Sequence, residues 1–169
     1  MTPANPILRH LIELIGNVTD AHTVALFTME PGGKTLALRE YFSLSKHLNP
    51  GAKIAVGKGP IGVTAQTRKH QLIENFDQDT SFLGIYKKNE ELKNFIALPV
   101  IYGDQVAVLA VDSKERYQFS IKLEKILTEF AQQIAWNLQS ENPDDSENPS
   151  PQPFLQEINS YCRFLAESP

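Results

Sequence analysis

The chain has 169 residues, 41% of them hydrophobic, and a formal net charge of −4. This length accommodates one domain with a complete hydrophobic core. The acids are concentrated from Gln139 onward, where six face a single base, so the preceding body carries 15 bases and 14 acids. A body so close to neutrality predicts no nucleic-acid partner, because such a partner requires a basic surface.

Cysteine usage and the length of apolar runs restrict the environment of the protein. Cys162 is the single cysteine, so it closes no intrachain disulfide, and a reducing, cytoplasmic setting fits best. No apolar stretch reaches the ~20 residues of a membrane span, which predicts a soluble chain with no membrane partner. The histidines lack metal-ligand spacing, and only His47 is placed to face a pocket. We therefore predict no metal site.

Apolar residues recur at three- and four-residue steps near both ends of the body. The first such segment, Pro6 to Val18, predicts a helix with a wide apolar stripe. The second runs from Ser120 to Gln139, and Ser120 is a suitable N-cap for it. One stripe of this last helix is needed to cover a sheet.

Four apolar segments between these helices have the composition and alternation of strands. His22 to Met29 and Thr35 to Leu44 form one predicted antiparallel hairpin, because the residues between them, 30–34, are a turn signal. Phe95 to Tyr102 and Gln105 to Asp112 form a second hairpin around a two-residue Gly-Asp link. We expect the strands of this second hairpin to be central in the sheet.

Two details of these strands go beyond the hairpin pattern. Strict alternation in the second strand places one set of side chains on a shared face, namely Leu36, Leu38, Glu40, Phe42 and Leu44. Pro99, in the second hairpin, removes one donor from the ladder. It therefore predicts a bulge or an unpaired position.

The stretch from Val56 to Thr67, near the middle of the chain, is rich in turn-forming residues. Its turn residues are Gly57, Gly59, Pro60 and Gly62. The residues after Pro60 have helical composition, so we predict the end of a strand, a tight turn and then a short helix. A short strand follows at Gln71 to Asn75, and residues 76–91 form a long polar loop.

The chain beyond Ser140 divides into two parts. Residues 141–153 are acidic and proline-spaced, which predicts a disordered or extended linker. Residues 154–169 carry apolar side chains at helical spacing, namely Phe154, Leu155, Ile158, Tyr161, Cys162 and Leu165. This amphipathic tail is too short to be stable alone, so it docks on another surface or belongs to a neighbouring domain. The predicted sensor domain is 1–140.

The order of these elements resembles a GAF domain over Pro6 to Gln139. The motifs that carry the resemblance are the glycine turn with Ala65, the pair Asp77 and Asp79, and the two hairpin segments 97–100 and 108–111. The resemblance implies an α+β fold, in which a PAS-like antiparallel sheet has the N- and C-terminal helices on one face. The short helix and the long loop would cover a pocket on the other face.

The resemblance also implies a regulatory module that senses a small molecule, signals through its terminal helices and belongs to a longer protein with an output domain. No cysteine lies inside the domain, so a thioether-bound bilin is excluded, and the signature of the cyclic-nucleotide branch has no clean match. The cofactor stays unknown. The family contains free methionine sulfoxide reductases that act through cysteines; with Cys162 alone, we expect no enzyme. A structural dimerisation module, its cavity filled with side chains, is the remaining alternative.

A ligand in this fold lies over the sheet face that the terminal helices leave free. The residues expected to line it are Phe42, Gly59, Ile61, Gly62, Thr64, Ala65, Phe76, Phe82, Tyr86, Phe95 and Asp112. N–H groups at the start of the short helix would seat a carboxylate or phosphate, with Lys58 as reinforcement. We therefore expect an anionic or amphipathic metabolite. Asp112 also fits a turn-capping role, and Asp77 and Asp79 also fit as turn formers.

The terminal helices carry more apolar surface than one contact with a sheet uses. Trp136 lies roughly 200° around its helix from the Ile134 and Leu138 line. We expect a symmetric homodimer with Trp136, Leu14 or Ile7 at the contact. Packing of Trp136 under the tail is the alternative.

Overall fold

The structure, a computed structural model, describes residues 4–116 and 119–142. Its helices are α1 (Pro6–Thr19), α2 (Gly59–Thr67) and α3 (Ile121–Ser140). Its strands are β1 (Thr23–Met29), β2 (Thr35–Ser43), β3 (Lys53–Ala55), β4 (Gln71–Glu74), β5 (Asn94–Tyr102) and β6 (Gln105–Ser113). A 3-10 turn, Thr80–Leu83, lies between β4 and β5.

Local signals fix the ends of the two long helices. The side-chain oxygen of Asn5 accepts hydrogen bonds from the backbone N–H groups of Ile7 and Leu8 at 3.0 and 3.1 Å, so Asn5 caps α1. The chain leaves α1 at Asp20, which has a left-handed φ of 50°. Ser120 caps α3 as predicted, because its hydroxyl accepts the N–H of Leu123 at 3.2 Å.

The six strands form one antiparallel sheet in the order β3-β2-β1-β6-β5-β4, with a separate core on each face. α1 and α3 cover the face that carries Val24, Leu26, Leu109 and Val111, which we call the helical face. α2, the 3-10 turn and neighbouring residues of the segment 75–93 cover the face that carries Ala25, Phe27, Val108 and Ala110, which we call the loop face. The predicted fold class and both predicted hairpins are confirmed.

The predicted alternation of β2 is wrong beyond Leu38. Leu26 of β1 pairs with Glu40, but the next residue, Phe27, pairs with Leu38. Arg39 is therefore an extra residue, a β-bulge. Because side chains alternate with a period of two, one extra residue moves every following side chain to the opposite face.

Phe42 lies on the helical face as a consequence of this bulge, which corrects its predicted place in the ligand site. Leu36, before the bulge, belongs to the core of the loop face. Phe42, after it, packs against the core of the helical face. Its ring lies so close to α1 that a Cβ added to Gly16 would come within 2.4 Å of it.

Pro99 is accommodated without a bulge. The pairing of β5 with β6 runs unbroken from Asn94 to Tyr102, with Pro99 opposite Val108. β4 pairs with β5 only as far as Ala97. Pro99 therefore lies where β5 has an open edge. Both strands of the predicted central pair are interior strands, because β6 lies between β1 and β5, and β5 lies between β6 and β4.

The predicted linker and tail lie outside the described residues, apart from Glu141 and Asn142. Glu141 still contacts the body, because its carboxylate accepts hydrogen bonds from the Arg39 guanidinium at 2.6 and 2.8 Å. Within the described part of the chain, no helix is long and apolar enough to cross a bilayer.

Candidate functional site

Five of the predicted site residues meet in the core of the loop face. Ile61 and Ala65 come from α2, Phe76 and Tyr86 from the segment 75–93, and Phe95 from β5. None of the five is more than 7% exposed. The elements that the sequence pattern grouped therefore lie together in the structure. Their side chains pack on one another in the core of the loop face.

Asp112 is buried at the C-terminal end of β6, directly opposite Thr23 of β1. Its Oδ1 accepts the backbone N–H of Thr23 at 2.9 Å, and its Oδ2 lies 2.5 Å from the Tyr86 hydroxyl. That hydroxyl also lies 2.7 Å from Thr23 Oγ1, which in turn lies 2.7 Å from Ser43 Oγ. We call Thr23, Ser43, Tyr86 and Asp112 the polar cluster. It ties the segment 75–93 to the central strands.

Burial dominates the protonation of the polar cluster. Desolvation raises the pKa of Asp112 to about 7, although the hydrogen bonds from Tyr86 and Thr23 oppose the rise. Burial also raises the pKa of Tyr86, and the neighbouring Asp112 raises it further. Tyr86 therefore keeps its proton, and Asp112 changes charge near neutral pH.

A set of ionisable side chains lies next to the polar cluster. Glu90, 8% exposed, lies 3.0 Å from the ammonium of Lys114 and 3.5 Å from His22 Nε2, and it accepts a hydrogen bond from Ser45. Burial opposes ionisation of Glu90, but the bonds from Ser45 and Lys114 outweigh it and lower its pKa. Burial also lowers the pKa of His22, with Lys114 adding to the effect. The ion pair is therefore Glu90 with Lys114, beside a neutral imidazole.

Thr64 of α2 carries an unpaired polar atom. The residue is fully buried, and within the described residues its Oγ1 has no hydrogen-bond partner. Burying a hydroxyl without a partner costs about 1–3 kcal/mol. A hydroxyl that faces a core at such a cost is a candidate ligand contact.

Backbone carbonyl groups lie close to two glycines at the start of α2, where Lys58 and Gly59 are exposed. A Cβ on Gly59 would lie 2.7 Å from the carbonyl oxygen of Phe82, and one on Gly62 would lie 2.3 Å from that of Ala55. The glycines therefore permit close approach of backbone to backbone. Their role as a seat for an anion stays a prediction.

Phe82 lies at the margin of the loop face. Its ring is 42% exposed and stacks on Phe76, with the ring centroids 5.4 Å apart. Together with Glu74 and Asp77 the two rings line a cleft of about 330 Å³. Asp79, the other acid of the predicted pair, instead accepts the Ser81 N–H at 2.7 Å and so caps the 3-10 turn.

Thr23, Glu90 and Lys114 are site candidates that the sequence pattern did not distinguish. Thr23 reaches Asp112 because β1 pairs with β6, which hairpin signals do not reveal, and Glu90 meets Lys114 across 24 residues of sequence. The available signal was a polar residue at the end of an apolar strand, as at Thr23. Within the part of the chain that the structure describes, no group of three His, Cys, Asp or Glu residues is placed to hold a metal ion.

The family model for the GAF domain matches residues 4–139. The chain therefore belongs to the GAF domain family, whose members are mainly regulatory modules, and the predicted family is confirmed. No protein among the curated sequences compared with the chain matches it significantly.

Solved structures share the fold at low sequence identity. The GAF domain of an Acinetobacter phosphoenolpyruvate-protein phosphotransferase has a TM-score of 0.63 and 17% identity over 82% of this chain and 83% of that one. The second GAF domain of DevS from Mycobacterium smegmatis has a TM-score of 0.60 and 19% identity over 80% and 94%. The type II free methionine-R-sulfoxide reductase from Thermoplasma acidophilum has a TM-score of 0.62 and 17% identity over 76% and 87%.

Proposed function

We propose that this GAF domain is a regulatory module that binds a small amphipathic molecule on its loop face. Binding would move the central strands, and this movement would be transmitted to α1 and α3. The observation that carries the proposal is the presence of buried polar groups in the core of the loop face, one of them without a hydrogen-bond partner among the described residues. The polar cluster and the unpaired hydroxyl of Thr64 both lie in this otherwise apolar layer. A layer that served packing alone would gain stability from apolar groups at these positions.

The charges favour a ligand whose polar end is neutral or cationic. The loop face and its margin present acids at Asp112, Glu74 and Asp77, whereas Lys114 balances the charge of Glu90. At the start of α2, where an anion was expected, the carbonyl oxygens of Phe82 and Ala55 lie beside Gly59 and Gly62, and such oxygens disfavour an anion. We therefore narrow the expected metabolite to an amphipathic one with a hydrogen-bond donor for Asp112. The apolar part would take the place of loop side chains such as Tyr86.

Signalling to the terminal helices would use the alternation of the central strands. Asp112 lies in the loop face, and the preceding residue, Val111, lies in the core under α1 and α3. A ligand that moves the C-terminal end of β6 therefore moves side chains of both cores. Output domains in a longer protein would receive this movement through the terminal helices.

A dimer is the second part of the proposal, and a second apolar stripe on α1 favours it. Leu8, Ile12 and Ile15 face the core. Ile7, Leu14 and Val18 lie outside this core stripe and are 58%, 37% and 53% exposed. Residues 7, 11, 14 and 18 are spaced by four, three and four, which is the spacing of a helix–helix seam. A cytoplasmic dimerisation module without a ligand would use the same stripe.

We propose no catalytic role. The sulfoxide reductase among the similar structures raises that alternative. The resemblance implies thiol chemistry for such enzymes, and Cys162 lies beyond the residues that the family model matches. Turnover of free methionine sulfoxide that Cys162→Ser abolishes would establish the enzymatic alternative.

Ligand binding is tested by thermal shift against a metabolite library and by mass spectrometry of small molecules that copurify. Thr64→Val keeps the shape of the side chain and removes the hydroxyl, whereas a bulkier residue would overpack a buried position. We expect the variant to fold and to lose most of the shift that a hit produces. Thr67→Val, on the exposed side of the same helix, is the matched control. Equal shifts in all three proteins would place the ligand elsewhere, and no hit and no copurified molecule would favour the structural module.

A further inference from the structure

A groove lies on the sheet edge where β5 runs past the end of β4. β4 stops pairing at Ala97, so the later part of β5 is an open edge beside α3. The groove between this edge and α3 has a volume of about 570 Å³. It contains none of the residues of the polar cluster and is therefore separate from the loop-face site.

The groove combines an apolar floor with a basic rim. Leu98, Ala131 and Ala135 form the floor and are no more than 6% exposed. Arg68 and Lys69, which follow α2, form the rim and are exposed. None of the described residues that line it is acidic. A surface of this kind fits an occupant with an apolar stripe and a negative charge.

We propose that residues 154–166 of the same chain bind in this groove. Their apolar residues recur at helical spacing, which gives one apolar side to bury. Residues 143–169 contain five acids against the single base Arg163. The stripe matches the floor. Residues 154–166 themselves carry one acid, Glu157, and the base Arg163, so the negative charge that matches the rim is that of Asp144, Asp145 and Glu147 in residues 143–153.

The residues between α3 and the proposed segment are long enough for the segment to reach the groove. α3 ends at Ser140, and the groove residue of α3 most distant from that end is Thr128, about 18 Å back along the helix at 1.5 Å per residue. The residues 143–153 span up to about 35 Å when extended. Attachment to α3 also gives the segment a high effective concentration at the groove, which favours it over a second copy. Bound there, it covers the open edge of β5, which would otherwise be free to pair with another chain.

Cys162 provides a direct test in the full chain, because as the single cysteine it takes a spin label at one site. Binding predicts a loss of intensity, reversed by reducing the label, for the backbone amide signals of Lys69, Ile101 and Ala131. Lys69→Glu should restore most of that intensity. Lys88→Glu makes the same charge change at an exposed position of the segment 75–93 and should leave the loss unchanged.

A second pair of variants tests the apolar stripe. Ile158→Asp places a charge within the stripe and should abolish the loss, whereas Asn159→Asp places the same charge beside it and should retain the loss. The proposal is overturned if the groove signals keep their intensity in the labelled wild type. It is also overturned if the loss appears when spin-labelled protein is mixed with isotope-labelled protein that carries no spin label, because the tail would then bind a second copy.

Discussion

Replacing Asp112 by asparagine tests how the polar cluster is charged. Asparagine has the same shape, and its Oδ1 accepts the Thr23 N–H as the carboxylate does. Its Nδ2 donates to the Tyr86 oxygen, and the Tyr86 proton then goes to Thr23 Oγ1, which lies 2.7 Å away. A protonated Asp112 makes the same set of hydrogen bonds. At every pH the variant therefore represents the protein with a neutral side chain at position 112.

The sign of the pH dependence follows from the raised pKa. In the folded state the pKa of Asp112 rises to about 7 from an ordinary 3.8, so folding favours the protonated carboxyl. Its stabilising contribution is complete below pH 4 and is lost as the pH rises through 7. One pKa unit corresponds to about 1.4 kcal/mol, so the wild type should lose about 2–3 kcal/mol between pH 5 and 7 relative to Asp112→Asn.

The measurement is the free energy of unfolding in urea at pH 5, 6, 7 and 8. His22 complicates the wild type alone, because its lowered pKa makes its contribution fall as the pH decreases. The contribution of His22 is common to both proteins, so it cancels in the difference between the unfolding free energies of the wild type and Asp112→Asn. Asp104→Asn, at an exposed turn, is the control and should follow the wild type. A difference that stays constant from pH 5 to 8 would refute a neutral Asp112 in the fold.

Two further substitutions address the packing of α2 and the proposed dimer. Gly62→Ala should destabilise the fold by about 1–3 kcal/mol or more in urea unfolding, because its Cβ would lie 2.3 Å from the Ala55 carbonyl oxygen. Gly51→Ala, with its nearest contact at 3.7 Å, should cost far less; equal losses would contradict the packing argument. Leu14→Glu should give a monomer by light scattering, whereas Leu44→Glu, at a side chain 67% exposed just after β2, should leave a dimer. A monomeric wild type would refute the interface.

The sequence was informative where one segment carries its own signal. The α3 stripe with its Ser120 cap and the Gly103-Asp104 hairpin each depend on neighbouring residues, and both are observed. The bulge at Arg39 depends on the pairing of β2 with β1, so alternation along β2 could not reveal it. For the same reason the predicted site contained Asp112 but not Thr23, its neighbour across the sheet.

The bulge at Arg39 connects the two cores through a single strand. Before it, Leu38 packs against the loop face, and after it, Phe42 packs against the helical face. The bulged residue itself bonds the carboxylate of Glu141, one residue beyond the end of α3. A displacement of β2 before the bulge, on the loop face, would therefore act on the core beneath α1 and on the point where the chain leaves α3. An extra residue in the strand, which costs ladder hydrogen bonds, thus provides a contact from the proposed site to the end of the domain.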